Sequence, residues 1–223
     1  MLYIIYKDIY QARKTILLYF MIGLVFIMST IRNDMGIFMS VGFIFMMVYG
    51  VTARNEYAED KNKGYSLLRT LPLKPYKIVM SKYITALLLA IAGMLYYLVL
   101  ARFTNGKIVF DSTLSLALSV GVSLALIFTG ILYTFIFRYG AAKAINLSRL
   151  FFFGFFFLPV IISSLAKYIP KPSFIESGKL EMFLESISLD LTGWSFLLLG
   201  IAFAIYLLTM LASINQFKKN KIM

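Results

Sequence analysis

The 223 residues include no cysteine and no histidine, and only ten aspartates and glutamates. Without thiols the chain cannot hold a disulfide framework, a cysteine nucleophile or a thiolate-ligated zinc. Without imidazole it also lacks the commonest general base and the commonest metal ligand, so conventional soluble-enzyme chemistry is disfavoured by inventory alone. A phosphate-binding loop is missing too. Gly106-Lys107 and Gly178-Lys179 lack both the upstream glycine and the following hydroxyl residue that such a loop needs. Charge is scarce overall: 14% of residues are charged, against roughly a quarter in a soluble domain.

Apolar side chain is what the chain has in excess, at 61% hydrophobic residues and a mean hydropathy of +0.84. One soluble core of this length cannot hide so much, which points to a bilayer as the solvent. The formal charge of +12 would suit nucleic acid only if the basic residues clustered on one face with aromatics interleaved. Their distribution follows membrane orientation instead, so no nucleic-acid partner is expected.

Six stretches are long and apolar enough to cross a hydrocarbon core as helices: Thr15 to Ile31, Met35 to Ala53, Tyr83 to Ala101, Ser112 to Phe137, Leu150 to Ala166 and Trp194 to Ile214. None contains Asp, Glu, Lys or Arg. A helix is required because no water is present there to satisfy free backbone groups. The first stretch reads as an uncleaved signal anchor, since no small-x-small site follows and Arg32 and Asp34 lead directly into the next span.

Lys and Arg number three in the N-terminal segment, seven in the second connection, three in the fourth and three in the C-terminal tail. The first, third and fifth connections hold one, two and three. Cytoplasmic connections retain the positive excess, which places both termini in the cytoplasm. Four acidic residues share that side and six lie on the other, so the whole net charge of +12 faces inward.

Three segments outside the spans carry patterns. In residues 1–14, with Ile16 just beyond, Leu2, Ile5, Tyr6, Ile9 and Ile16 share a helical face while Lys7, Gln11 and Lys14 fall elsewhere. That is the pattern of an elbow helix lying in the membrane interface, or more simply a basic flank of the first span. The connection 54–82 is the longest polar stretch. Tyr65, Leu68 and Leu71 could form a short apolar face, and Pro72 and Pro75 keep this helix from running on into the third span. A stiff bent connector can transmit force, whereas a solvated loop would only set topology. The four leucines at 67, 68, 71 and 73 are more than a free loop needs. In the outer connection 167–193, Ser173 and Glu176 have capping-box spacing ahead of Leu180, Phe183, Leu184, Ile187 and Leu191. This predicts a short amphipathic helix on the outer leaflet, with a lid over the bundle as the plainer reading.

Inside the spans, Phe151 to Phe157 form an aromatic block broken only by Gly154. Lipid contact or helix packing explains it, and a wall for an amphipathic substrate is the functional alternative. Phe152, Phe155, Phe156, Tyr49 and Thr129 are the candidate pathway residues. Gly121, Ser123, Thr129 and Gly130 suit close helix packing better than substrate contact.

The absence of ionisable residues from the spans disfavours a cation-coupled carrier, and no filter-like glycine sequence or acidic ring suggests a channel. If ATP supplies energy, the ATPase is a separate chain, and it must dock on cytoplasmic segments. The second connection resembles a known family at this point. Glu56, Asp60, Gly64-Tyr65, Leu71-Pro72-Leu73, Lys77-Ile78-Val79 and Ser81-Lys82-Tyr83 are similar to the acidic stretch, Leu-Pro-hydrophobic turn and Ser-Lys-Tyr span entry of permease subunits of bacterial type-two-class ABC exporters, near the phenol-soluble-modulin exporter permeases.

The resemblance implies an all-α membrane protein in the bacterial plasma membrane: a single permease domain over 1–223, with six spans, the elbow helix, a coupling helix and the outer helix. It implies a second copy or a related permease as partner, two ABC ATPase subunits holding ATP and Mg, and no cofactor on this chain. The stretch from about Glu56 to Thr70 would be the coupling helix, and Glu56, Asp60, Tyr65, Leu68, Leu71, Pro72, Lys77 and Lys82 the ATPase-coupling residues. Cargo in the nearest relatives is amphipathic cytolytic peptide; lipids, polysaccharides and drugs occur elsewhere in the class. Membrane lipids are expected neighbours. The competing reading is a non-transporting scaffold or immunity protein that binds peptides or a partner. A membrane-embedded enzyme is the weakest option, since the spans offer no acid-base pair or metal ligands.

Overall fold

The computed structural model describes residues 1–30, 36–70, 73–105, 112–150 and 191–219. Every regular element among them is helical: α1 (Leu2–Thr30), α2 (Gly36–Lys61), α3 (Gly64–Thr70), α4 (Pro75–Asn105), α5 (Ser112–Tyr139), α6 (141–150) and α7 (Leu191–Lys219). Three are long and apolar enough to cross a membrane, over Pro75–Leu100, Leu114–Tyr139 and Thr192–Lys219. The expected fifth span, the outer helix and Phe152, Phe155 and Phe156 fall outside the described residues.

The helix boundaries follow from local backbone chemistry. After α2 the chain turns through Lys63 in the left-handed region (φ 55°), and the Lys63 N–H donates to the Asp60 carbonyl at 3.0 Å. Pro75 opens α4, where a missing N–H costs nothing because first-turn donors have no intrahelical acceptor. Gly140 ends α5 at φ 85° with its N–H on the Ile136 carbonyl at 2.9 Å, a left-handed cap that glycine takes without a Cβ penalty.

α5 packs along both α7 and α2, while α1 lies against α2 and α4; α4 also meets α5 and α7. Two glycines on α5 allow the close approaches. A Cβ on Gly130 would stand 2.5 Å from Thr209 Oγ1 on α7, and one on Gly121 would stand 3.1 Å from the Val41 Cα on α2. Small residues at such crossings let helix backbones approach where a larger side chain would wedge them apart. The buried core runs through Ile44, Met47 and Val48 of α2, Ile78 and Val79 of α4, and Leu132 and Ile136 of α5.

Three tyrosine hydroxyls in this core find partners, as burial requires. The Tyr206 hydroxyl donates to the Tyr83 carbonyl at 2.7 Å, the Tyr83 hydroxyl pairs with Ser213 Oγ at 2.8 Å, and the Tyr133 hydroxyl donates to the Lys82 carbonyl at 3.1 Å. Outward-facing Leu88, Ile91, Leu95 and Val99 form an apolar stripe on α4, as a helix facing lipid should.

Two sequence expectations change. The N-terminal segment and the first apolar stretch form one helix, α1, with no break between an elbow and a span. Its N-terminal half turns Ile4, Ile5, Asp8, Ala12 and Thr15 inward, leaving Leu2, Tyr6 and Ile9 exposed. The expected apolar face is therefore divided between bundle and surroundings. Likewise, Glu56 and Asp60 belong to the last turns of α2 rather than to a coupling helix reaching from Glu56 to Thr70. The left-handed turn at Lys63 separates them from α3.

Candidate functional site

The acids at the end of α2 are spaced so that Glu56 and Glu59 share a face, since residues three apart on a helix are neighbours. That face meets Lys82, near the start of α4, and Asp8 on α1. The Lys82 ammonium lies 3.0 Å from Glu56, 3.1 Å from Asp8 and also pairs with Glu59. Lys7 completes the cluster, 2.5 Å from Glu59 and 3.4 Å from Asp8. Lys82, Glu56, Glu59 and Asp8 are all buried; Lys7 is one-third exposed. Buried charges persist only when each is matched, and here α1, α2 and α4 each contribute to the matching.

The helix α3 is attached to the same cluster. The Tyr65 hydroxyl donates to Glu56, while its ring packs edge-on to Phe137 with centroids 5.8 Å apart. Burial pushes the Glu56 carboxyl up to about 7; Glu59 and Asp8 push the same way, against Lys82 and the Tyr65 hydroxyl. Burial acts on Glu59 as well, but Lys82 and Lys7 outweigh it and hold its carboxyl below the usual range. Burial, reinforced by Glu56, holds the Tyr65 phenol well above its usual range, so it remains a donor.

Asp60 makes a separate tie. Its carboxylate accepts from the backbone N–H of Ala141 at 3.1 Å and of Ala142 at 3.4 Å, capping the first turn of α6. A second tie between α2 and α6 joins the Tyr49 hydroxyl to Ser148 Oγ at 2.5 Å. Between these ties, α1, α2 and α6 line an open cavity of about 730 Å³ that includes Tyr19, Phe45, Tyr49, Arg54, Tyr57 and Arg149 in its lining. A second groove, of about 660 Å³, runs between the first turns of α1 and α3 and is lined by Tyr3, Ile4, Leu67 and Leu73 among others.

The structure sorts the sequence candidates clearly. Glu56, Tyr65 and Lys82 converge in the buried cluster, and Asp60, beside it on α2, caps α6. Tyr65 and Leu68, expected to form an outward apolar face, point into the chain's own core and are 3% and 4% exposed. Leu67, at 64%, is the leucine that α3 presents outward. Lys77 is half-buried on α4, with no part in the cluster; Leu71 and Pro72 lie outside the described residues. Of the pathway candidates, Tyr49 lines the larger cavity, whereas Thr129 is buried and spends its hydroxyl on the Ala125 carbonyl at 2.6 Å.

Asp8, Glu59 and Lys7 were not among the site residues expected from sequence. A signal was present: the side with sixteen cations has only four acids, and all four prove to be internal ties. The whole ladder of partners, from α1 to α6, lies within one family match. The model of the ABC-2 family transporter proteins covers residues 3–218. The chain belongs to that family. It is thus the permease subunit of an ABC transporter, a membrane transport component that is not itself catalytic. No curated protein and no solved structure matches this permease.

Proposed function

We propose that this permease works in an ATP-driven exporter of the bacterial plasma membrane, beside ABC ATPase subunits and a second copy of itself or a related permease. Six spans and two cytoplasmic termini, as read from charge and hydropathy, orient it. ATP and Mg belong to the ATPase subunits, and the energy enters at α3. Amphipathic peptide is the cargo that the resemblance to phenol-soluble-modulin exporter permeases favours.

The observation that carries the coupling reading is the buried cluster around Lys82. A short helix on a flexible loop could move without consequence for the spans. Here Tyr65 hangs α3 on Glu56, Glu56 is held by Lys82 at the start of α4, and Lys82 is held by Asp8 on α1. A displacement of α3 must therefore shift three long helices or break a matched buried charge set, at a cost of several kcal/mol. Coupling of this kind works through Tyr65 and Leu68 as inward anchors, while Leu67 and the adjoining groove face the ATPase.

The test compares Leu67→Asp with Leu68→Asp in capture of the ATPase encoded with this permease and in export of a fluorescent amphipathic peptide. Leu67→Asp leaves the permease folded and lowers ATPase capture by about tenfold or more, as loss of about 1.5 to 3 kcal/mol of apolar burial requires. Leu68→Asp lowers the yield of folded permease. Normal capture and normal export by the Leu67 variant would show that α3 is a topology-setting linker.

A further inference from the structure

The 730 Å³ cavity between α1, α2 and α6 has a lining that suits one class of ligand. Among the described residues its charged lining residues are Arg54 and Arg149, and no carboxylate lines it. Among the described residues neither arginine is in a salt bridge. The acids that could have neutralised them are committed elsewhere: Asp8, Glu56 and Glu59 to Lys82 and Lys7, and Asp60 to the α6 backbone. Phe45 and Met46 supply an apolar wall next to this charge, and Tyr57 and Asn146 add polar groups at the same lining.

Depth supports the same ligand. By the apolar limits in the sequence, Arg54 is one residue beyond the stretch ending at Ala53, and Arg149 is one residue before the stretch beginning at Leu150. Both therefore stand where polar headgroups begin, with the apolar wall on the hydrocarbon side. A basic pocket between helices at that level matches an anionic headgroup with acyl chain attached, and guanidinium forks suit phosphate oxygens.

We propose that this cavity binds an anionic phospholipid of the cytoplasmic leaflet, with its phosphate on Arg54 and Arg149 and an acyl chain along Phe45 and Met46. The assignment rests on the orientation given under Proposed function. Because Asp60 and Tyr49 tie α6 to α2, lipid in the cavity bridges the same two helices that those ties hold.

The full-length chain in phosphatidylcholine nanodiscs, titrated with dioleoyl phosphatidylglycerol and read by native mass spectrometry, tests it. Phosphatidylglycerol is retained in preference to phosphatidylcholine, and Arg54→Gln with Arg149→Gln weakens retention about tenfold or more. The control removes equal charge from exposed Lys14 and Lys143 and leaves retention unchanged. Met46→Trp, which fills the apolar wall and keeps the charge, also weakens it. Equal loss in the control pair would reduce the effect to diffuse surface charge and overturn the site, as would wild-type retention by the arginine variant. Complete displacement by millimolar inorganic phosphate would mark a free-anion site and overturn the lipid assignment. ATPase capture is followed on the same samples: lipid selectivity without capture supports this site while refuting the exporter reading.

Discussion

Lys82 and Glu56 stand on opposite sides of α3 in the sequence and meet at 3.0 Å in the folded chain. The pair closes a loop that contains all of α3, and Tyr65 inside that loop donates to the same Glu56 carboxylate. The connection is held at both its ends and its middle by one buried set of charges.

Replacing Lys82 by Met should therefore be among the most damaging single changes. Three buried carboxylates lose their shared cation, and breaking a buried pair from one side costs about 3 to 5 kcal/mol. Thermal unfolding of the detergent-solubilised chain, followed by tryptophan fluorescence and size-exclusion chromatography, reads the loss. Adding Glu59→Gln to Lys82→Met should recover about 1 kcal/mol or more, because Glu59 is a carboxylate that Lys82 holds ionised and the two changes are energetically linked. Strict additivity would dissolve the cluster as a unit.

Stability should also carry a pH signature from Glu56. The folded carboxyl keeps its proton up to about pH 7, whereas an unfolded glutamate releases it near 4.5. Between those values the folded state binds more protons, so this contribution is fully present below about pH 4.5. It declines as pH rises and is gone above about pH 7. One proton corresponds to a slope of at most about 1.4 kcal/mol per pH unit. Denaturant midpoints from pH 5 to 7 should fall for the natural chain relative to Glu56→Gln, and parallel profiles would contradict the assignment. Glu59, held low by its two lysines, has the opposite sign and acts at more acidic pH.

Asp60→Ala removes the acceptor for the first amides of α6. Loss of a helix cap costs about 0.5 to 2 kcal/mol, and the effect should be local. Hydrogen exchange at residues 141–150 should accelerate about threefold to thirtyfold while α4 and α5 keep their protection. Uniform acceleration across all helices would mean that Asp60 supports the global fold instead.

Gly130→Val should separate α5 from α7, since even the Cβ would sit 2.5 Å from Thr209 Oγ1. Overpacking of this kind costs about 1 to 3 kcal/mol. Pairing it with Thr209→Ala should return part of the loss, measured as the midpoint of thermal unfolding. Gly42→Ala, where a Cβ meets nothing within 4 Å, is the control and should hold or raise the midpoint, because alanine suits a helix interior better than glycine.

Composition and periodicity were enough to read an all-helical membrane chain, because apolar length and the self-contained hydrogen bonding of a helix are properties of consecutive residues. The C-terminal end of α5 and the start of α4 are equally local, set by Gly140 and Pro75. The short helix within the second connection was legible for the same reason, through Pro72, Pro75 and the leucines around them. Its inner and outer faces were not. Whether Leu67 or Leu68 points outward depends on how α3 rotates against α5 and α1, and a period of 3.6 residues does not name the face that finds a partner. Asp8 and Lys82, 74 positions apart, could be recognised as a pair only once α1 and α4 lay side by side. Taken singly, each charge reads as a flank of an apolar run. Tertiary structure made them a cluster because a buried ammonium is stable only where several helices bring carboxylates to it together.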